Sequence, residues 1–492
     1  MQNKLEEIIA SIDISGPVPE EGDQRQYYYI KKMRDYTAAK SQELGRNLTA
    51  CTVTFGCQMN AKDSEKLAGI LEACGFDVRD EENSDFLIYN TCTVRDNADQ
   101  HLYGRIGRAS HYKKENPEMK IAVCGCMMQE KTAVDKLHKS YPYVDLIFGT
   151  HNLYCFAEYI YEVYHSDKRV TELWESGDRI VEDLPTDRKF SWKSGVNIMY
   201  GCNNFCSYCI VPYVRGREKS REPIDILREI ERLASDGVKE IMLLGQNVNS
   251  YGKTLEDPIS FAELLEATTK IDGIERVRFM TSHPKDLSED LIQCIKRNPK
   301  IARHIHLPLQ SGSDRILKAM NRRYTKEQYL ALAEHIRQEI PDAAITTDII
   351  VGFPGETAED VDETIDVVKK VGFDNAFTFI YSMRKGTPAA RMEQVPEDVK
   401  KENFARLLAV VQDTAKEQAE RFAGMEMSAL IESVNEEDSS YVTGRLSNNM
   451  IVHVKGDPSL IGSFVPVKLD ECHGFYYFGH VLDSDETRQV EL

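Results

Sequence analysis

No apolar run in the sequence approaches the roughly 20 residues that a membrane-spanning helix needs. The chain opens Met1-Gln2-Asn3-Lys4-Leu5-Glu6-Glu7, without the basic start and apolar core of an export signal. A cytoplasmic protein with no membrane partner is expected. Positive charge is also scarce: 61 Lys and Arg stand against 80 Asp and Glu, a formal net charge of -19. That argues against a generic nucleic-acid binder, because neutralising phosphates needs cations. Basic residues still cluster locally, at Arg215-Gly216-Arg217 with Lys219 and Arg221, at Arg105 with Arg108, at Arg322-Arg323 and at Arg384-Lys385. Such clusters are solvated faces or RNA contacts. Cysteine, by contrast, is plentiful. Twelve of them in a leaderless chain of 492 residues point to metal rather than to disulfides.

The stretch Tyr200-Gly201-Cys202-Asn203-Asn204-Phe205-Cys206-Ser207-Tyr208-Cys209 organises the rest. Three thiols spaced four and then three residues apart can wrap one iron-sulfur cube. A cube has four irons, so three cysteines leave one open to a substrate or cofactor. A Cys-x-x-Cys pair also occurs in zinc sites and thioredoxin-like motifs, and a distant fourth ligand would give the same local pattern. Context favours iron. The array follows a strand predicted at 196–200, and Cys-x-x-x-Cys-x-aromatic-Cys resembles the radical S-adenosylmethionine (SAM) enzymes. The resemblance implies that Cys202, Cys206 and Cys209 hold a [4Fe-4S] cluster whose open iron chelates SAM, with Tyr208 near the adenine.

At this length two to four domains are expected. Residues 1–46 are polar, acidic and weakly periodic, broken at Gly16-Pro17-Val18-Pro19, and read as a loosely packed or partly disordered extension. From 47 to 163 strands and helices alternate, with strands predicted at 50–54, 85–89, 120–123 and 144–148 and a helix at 64–73. That order implies a doubly wound parallel sheet. Cys57, Cys92 and Cys126 each fall just past a predicted strand, on the edge where such sheets bind ligands and where neighbouring strands are about 4.8 Å apart. Three thiols there can converge on a second cluster; the alternative is that they are small buried hydrophobes. Cys51 and Cys124 lie in or beside strands and take that second reading. So do Cys74, Cys155, Cys294 and Cys472, which have no partner at ligand spacing.

A charged segment containing Pro185, residues 164–191, reads as a linker to a central domain at 192–423. There, strands predicted at 196–200, 240–244, 276–282, 304–309, 345–352 and 376–381 alternate with helices such as 224–234, 261–271 and 326–338. Six such units make an open (β/α)6 barrel whose site faces the C-terminal strand ends. Those ends carry Gly245-Gln246-Asn247, Ser282-His283-Pro284, Gln310-Ser311-Gly312 and Gly352-Phe353-Pro354-Gly355-Glu356. Glycine admits a ligand close to the backbone, and amides and hydroxyls meet ribose and amino groups, so Gly245, Gln246, Asn247, Ser282, Gln310 and Ser311 are candidate SAM contacts. His283, His304 and His306 read as barrel-rim or core residues. After an amphipathic helix at 400–421, residues 424–492 form short alternating strands at 428–433, 441–445, 450–454 and 464–469, the pattern of a small β-barrel.

The resemblance now sharpens. Gly56-Cys57-Gln58-Met59-Asn60 with Asp63-Ser64-Glu65, Asn90-Thr91-Cys92-Thr93-Val94-Arg95, and Gly125-Cys126 with Gln129 are similar to the auxiliary-cluster motifs of the MiaB-type methylthiotransferases. The similarity covers about residues 48–485, including both triplets. It implies a second [4Fe-4S] cluster on Cys57, Cys92 and Cys126 that carries the sulfur to be inserted, and an RNA-binding TRAM domain in the C-terminal barrel. One SAM would methylate that sulfur. A second, cleaved at the other cluster, would give a 5'-deoxyadenosyl radical that activates C2 of N6-isopentenyladenosine at tRNA position 37. The expected partners are the tRNA anticodon loop, an external electron donor and a sulfur source, and the chain is expected to be a monomer. Relatives acting on threonylcarbamoyl-adenosine or on a ribosomal-protein aspartate are alternatives, as is a non-catalytic iron-sulfur RNA-binding redox sensor. Gln58-Met59-Asn60 and Thr93-Val94-Arg95 resemble the isopentenyladenosine branch more than either relative.

Overall fold

The computed structural model describes residues 2–20, 22–93, 96–177 and 180–482. These form two compact units. The first holds the described residues up to Lys189 together with Tyr200–Asn203 and Ile210–Glu218; the second holds Phe190–Met199, Asn204–Cys209 and the described residues from Lys219 onward.

The first unit begins with helices α1 (Gln2–Ser11) and α2 (Asp23–Leu44). A six-stranded sheet follows: β1 (Thr49–Thr54), β2 (Asp77–Val78), β3 (Phe86–Thr91), β4 (Lys120–Gly125), β5 (Leu146–Phe148) and β6 (Val170–Glu172). All neighbours are parallel, in the order β2-β1-β3-β4-β5-β6. Helices α3 (Gln58–Ala73), α4 (Asp96–Glu115), α5 (Lys131–Ser140), α6 (Phe156–His165) and the single turn α7 (Val211–Val214) complete it. Successive strand residues point to opposite faces, and the apolar residues divide accordingly. Phe86, Ile88, Ala122 and Leu146 pack under α2, α3 and α6, whereas Leu87, Tyr89, Ile121 and Val123 pack under α4 and α5. Burial on both faces is why these strands read as continuous apolar runs.

Two expectations need correction. The N-terminal extension is not loose: Ile9, Ile30 and Met33 sit at or near zero exposure in the sheet's core, and Arg25 pairs with Glu158 of α6. The burying positions 27, 30, 33 and 37 follow a helical period, but tyrosine and threonine among them hid the stripe. Nor is 164–191 wholly a connector, since it supplies β6 and the Asp187 amide donates to the Glu65 carbonyl at 2.9 Å.

The second unit contains β7 (Lys193–Asn197), Met199 of the two-residue strand β8 (Met199–Tyr200), β9 (Lys219–Ser220), and the strands β10 (Glu240–Leu244), β11 (Arg276–Phe279), β12 (His304–His306), β13 (Ala344–Val351) and β14 (Asn375–Ile380). They form two parallel sheets, β7-β10-β11 and β12-β13-β14, joined where Val277 bridges Ile301. The result is the open (β/α)6 barrel, wrapped by α8 (Pro223–Ser235), α9 (Phe261–Thr269), α10 (Glu289–Arg297), α11 (Asp314–Ala319), α12 (Lys326–Glu339), α13 (Ala358–Val371) and α14 (Glu397–Glu420). The first strand is Lys193–Asn197, a few residues earlier than expected.

Strands β15 (Glu426–Val434), β16 (Tyr441–Leu446), β17 (Ile451–Lys455), β18 (Phe464–Cys472) and β19 (Tyr476–Val481) close a barrel in the order β15-β16-β17-β19-β18. The fifth strand was not foreseen, because Tyr476-Tyr477-Phe478-Gly479-His480 lacks clear alternation. A buried charge cluster ties this barrel to the larger one: Glu240 accepts from Arg278 at 2.9 Å and lies 3.3 Å from Arg276, while Arg278 donates to the Leu446 carbonyl and Arg276 to that of Ser428. No helix among the described residues is long and apolar enough to cross a membrane.

Candidate functional site: two cysteine triplets

Strands β1, β3 and β4 are adjacent and parallel, so their C-terminal ends share one edge. Cys57 lies there as the N-cap of α3, Cys92 directly follows β3, and Cys126 directly follows β4. Strand order reverses at β1, and open parallel sheets bind ligands at such a point. Gly56, at φ +111°, allows the close approach: a Cβ there would lie 2.3 Å from Cys92 Cβ and 2.7 Å from its Sγ. The flanking motif residues brace the loops. Asn60 is fully buried and its Nδ2 donates to the carbonyls of Phe55 (2.9 Å) and Thr91 (2.7 Å); Asn90 Nδ2 donates to the Asn60 carbonyl (2.9 Å) and to Ser64 Oγ (3.0 Å). Gln129 Nε2 donates to the Trp174 carbonyl at 2.8 Å. Val94 and Arg95 of this motif lie outside the described residues.

Arg215 completes the neighbourhood. Its Nε–H donates to Cys126 Sγ at 3.1 Å, and its Nη2 donates to Asn60 Oδ1 at 2.7 Å and Asp63 Oδ2 at 3.0 Å. Burial pushes the Cys126 thiol up to about 11; Arg215 pulls against this, and Cys92 and Cys57 are near enough to add to the rise. Burial also disfavours the Arg215 charge, but Cys126, Asp63 and Cys57 outweigh it and hold that group's pKa above the ordinary arginine value. His151, in the same unit, is kept below the usual imidazole range by burial and by Arg215, and its buried Nε2 has no hydrogen-bond partner. Among the described residues, no group of three or more His, Cys, Asp or Glu is set to hold a single metal ion. None of the twelve cysteines forms a disulfide. A cluster spreads its ligands wider than a single ion does, and thiols at neighbouring strand ends beside a fixed cation are a donor set that would fit one.

The second triplet divides between the units. Cys202 belongs to the first, where its amide donates to the Gly216 carbonyl at 3.1 Å. Cys206 and Cys209 belong to the second, linked by a 2.9 Å bond from the Cys209 amide to the Cys206 carbonyl. Their loop is pinned beyond α11: the Ser207 amide donates to the Met320 carbonyl (2.9 Å), and Asn321 Nδ2 donates to the carbonyls of Asn204 (3.2 Å) and Phe205 (2.9 Å). Phe205 is held at φ 49°, a left-handed conformation that such bracing sustains. Arg322 donates Nη1–H to Cys206 Sγ at 3.5 Å and Nη2–H to the Pro308 carbonyl at 2.9 Å. Tyr208 packs in a cluster with Phe353, Tyr381 and Met320; burial and the adjacent Cys206 raise its phenol well above the normal value.

The other candidate contacts do fall at strand ends, with unequal freedom to bind a ligand. Gly245 has no room for a side chain, since a Cβ would meet Met199 Cγ at 2.6 Å. Asn247 is committed: Nδ2 donates to Asp286 Oδ2 (2.8 Å) and Oδ1 accepts from the His283 amide (3.2 Å), clamping the loops after β10 and β11. Ser311 Oγ faces Thr364 Oγ1 and the Ser313 amide. Gln246 follows β10, and Gln310, at φ 69°, bridges Ile349. Ser282 differs: its Oγ is buried without a hydrogen-bond partner, and the residue before it, Thr281, is held at φ 68°. The histidines are structural, with His304 and His306 sharing Thr346 Oγ1 at 2.8 and 3.0 Å.

The basic clusters are corrected most. Arg215, Arg221 and Arg322 are buried, two of them against cysteine sulfur, while Arg217, Arg323, Arg105 and Arg108 remain exposed. Sequence reading missed the buried group because an arginine among glycine, lysine, glutamate or another arginine looks like surface.

The Radical SAM superfamily model matches residues 196–368, the Uncharacterized protein family UPF0004 model matches 49–149, and the TRAM domain model matches 420–482. Among solved structures, the radical SAM methyltransferase TsrM from Kitasatospora setae, with cobalamin and a [4Fe-4S] cluster bound, shares the fold at a TM-score of 0.51 and 14% identity, over 70% of this chain and 74% of that one. Fold and matches define a radical SAM protein with a UPF0004 region before the barrel and a TRAM domain after it. Among curated proteins, the chain is 57% identical over 456 residues to the tRNA-2-methylthio-N(6)-dimethylallyladenosine synthase of Lachnoclostridium phytofermentans, covering 92% of this chain and 98% of that one. It is 52% identical over 460 residues to that of Acetivibrio thermocellus, covering 93% and 96%. The chain belongs to the tRNA-2-methylthio-N(6)-dimethylallyladenosine synthase family.

Proposed function

We propose that this protein is the transferase that converts N6-(dimethylallyl)adenosine at position 37 of tRNA to its 2-methylthio form, with Cys202, Cys206 and Cys209 holding one [4Fe-4S] cluster and Cys57, Cys92 and Cys126 a second. When bound, the first cluster with SAM supplies a 5'-deoxyadenosyl radical and the second supplies the sulfur. The observation that carries the reading is the convergence of three strand-end thiols beside the buried Arg215, in a chain whose other triplet has its own buried arginine. The chain's own groups bind and orient. Asn60, Asn90 and Ser64 fix the loops of the first triplet; Arg322, Asn321 and Met320 fix that of the second. Tyr208 and the unpartnered Ser282 hydroxyl are assigned to SAM.

The RNA partner is assigned to the TRAM barrel, where the rings of His473 and Tyr476 stack at 5.2 Å and the neighbouring Phe475 is exposed, a surface of the kind on which unpaired bases stack. The target base lies in a stacked anticodon loop and must be splayed out to expose C2. An external reductant and sulfur donor complete the set, and the protein acts as a monomer.

The test is anaerobic reconstitution with iron and sulfide, followed by SAM, reductant and dimethylallylated tRNA, with mass spectrometry of the digested nucleosides. The 2-methylthio nucleoside is expected. Formation of 5'-deoxyadenosine without it would move the substrate assignment elsewhere, and absence of both would overturn the enzyme reading.

A further inference from the structure

We propose that Arg215 is the positioning cation of the first triplet: it orients Cys126 and raises the electron affinity of the cluster bound there. The inference rests on the two-cluster reading above. Three bonds fix the guanidinium, from Nε to Cys126 Sγ (3.1 Å) and from Nη2 to Asn60 Oδ1 (2.7 Å) and Asp63 Oδ2 (3.0 Å). Asn60 is itself fixed by its bonds to the carbonyls of Phe55 and Thr91, so the fork has one orientation. An ordinary buried ion pair would direct the guanidinium at its carboxylate alone. Here one N–H is aimed at sulfur.

Arg215 is 8% exposed, so water screens its charge little. A cationic N–H donated to a cluster ligand stabilises an added electron, and hydrogen bonds to sulfur together with local net charge are what tune such potentials. Asp63 opposes this by placing a carboxylate on the same guanidinium. The chain also delivers the residue in a telling way: Arg215 follows Cys209 of the second triplet by six positions, yet Ile210–Glu218 belongs to the first unit. The segment leaving one triplet thus provides the cation of the other.

The experiment uses the full-length chain carrying Cys202→Ala, Cys206→Ala and Cys209→Ala, so that only the first triplet can hold a cluster. After anaerobic reconstitution, iron is counted and the one-electron midpoint is followed by EPR during titration with a chemical reductant. Arg215→Gln is expected to lower the midpoint by at least the equivalent of a tenfold change in the equilibrium, about 59 mV for one electron. Arg215→Lys should fall between, since it keeps the charge but loses the fork. Asp63→Asn should shift the midpoint upward. Opposite signs from the two partners are not produced by a merely structural role. Equal midpoints in parent, Arg215→Gln and Asp63→Asn would overturn the proposal. Should Arg215→Gln take up no iron, Asp63→Asn decides: a midpoint above the parent supports the proposal, and one at or below it overturns it. A parent that binds no iron would remove the two-cluster reading itself, and the proposal with it.

Discussion

Arg322 donates Nη1–H to the Sγ of Cys206 across 3.5 Å, although 116 residues separate them in sequence. The same guanidinium donates to the Pro308 carbonyl and, through Nε, to the Tyr324 hydroxyl at 3.0 Å. The loop bearing Cys206 is thereby registered against the segment that follows β12. Arg322→Gln removes the charge and the fork together. A hydrogen bond from a charged group contributes about 1.5–3 kcal/mol, so 5'-deoxyadenosine formation should fall about 10- to 100-fold, with Arg322→Lys intermediate. Circular dichroism unchanged from the parent would show that the loss is one of site geometry; an unchanged yield would remove Arg322 from the site.

The two triplets should separate by product. Cys206→Ala should abolish cleavage of SAM and with it every downstream product. Cys92→Ala should leave 5'-deoxyadenosine formation in place and eliminate the methylthio nucleoside. The check is a parallel assay of both products, and methylthio nucleoside at the parent level from Cys92→Ala would exclude Cys92 from the sulfur site.

Gly56 is irreplaceable on two counts. Its φ of +111° is unfavourable for any side chain, and a Cβ would lie 2.3 Å from Cys92 Cβ, an atom with no freedom to swing away. Gly56→Ala should cost about 1–3 kcal/mol in backbone strain alone, and displacing Cys92 should lower iron bound at the first triplet. Iron content and melting temperature, measured together, check it.

How much of this was legible depends on what each residue needed. Strands such as 240–244 were readable because they are short apolar runs between helical periods, and the cysteines stood out because thiols at that spacing and at strand ends are a possible donor set whatever the packing. Arg215 and Arg322 were not legible: an arginine is ordinarily at the surface, and only the fold shows that each has a sulfur, a carboxylate, a hydroxyl or a carbonyl around it. The buried face of α2 was missed for a related reason, since Tyr27, Tyr28 and Thr37 bury well yet read as polar. Asn247 and Ser311 have partners that the sequence does not show: polar residues at strand ends invite a ligand reading, and in the fold these two also bond within the protein.

Glu240 offers a prediction about stability. It is buried between Arg276 and Arg278, and burial together with the neighbouring Arg278 depresses the Arg276 pKa to about 10. Removing one partner of a buried ion cluster leaves uncompensated charge, at about 3–5 kcal/mol. Glu240→Ala should therefore destabilise strongly in denaturant unfolding, and Glu240→Gln less, because its amide oxygen still accepts from one guanidinium. A change under about 1 kcal/mol for Glu240→Ala would show that water reaches the arginines.

Glu356 sets a pH dependence. Burial and the nearby Asp360 raise its pKa to about 7, against the opposing pull of the Gly352 amide, which donates to its Oε2, and of Arg315. A carboxyl whose folded pKa lies above its unfolded value binds its proton more tightly in the folded state. Its contribution is therefore fully present below the ordinary glutamate range and is lost as pH rises through about 7. A rise of this size corresponds to something on the order of 3 kcal/mol. Glu356→Gln keeps an acceptor for the Gly352 amide and removes the ionisation. The variant should match the parent in melting temperature near pH 4 and exceed it at pH 8, with the gap opening between; equal melting temperatures at pH 8 would mean that the carboxylate is solvated there. Because Glu356 closes the turn after β13, the same ionisation would strain a loop at the C-terminal end of the barrel, so the stability gap and any alkaline loss of SAM binding should open over the same pH interval.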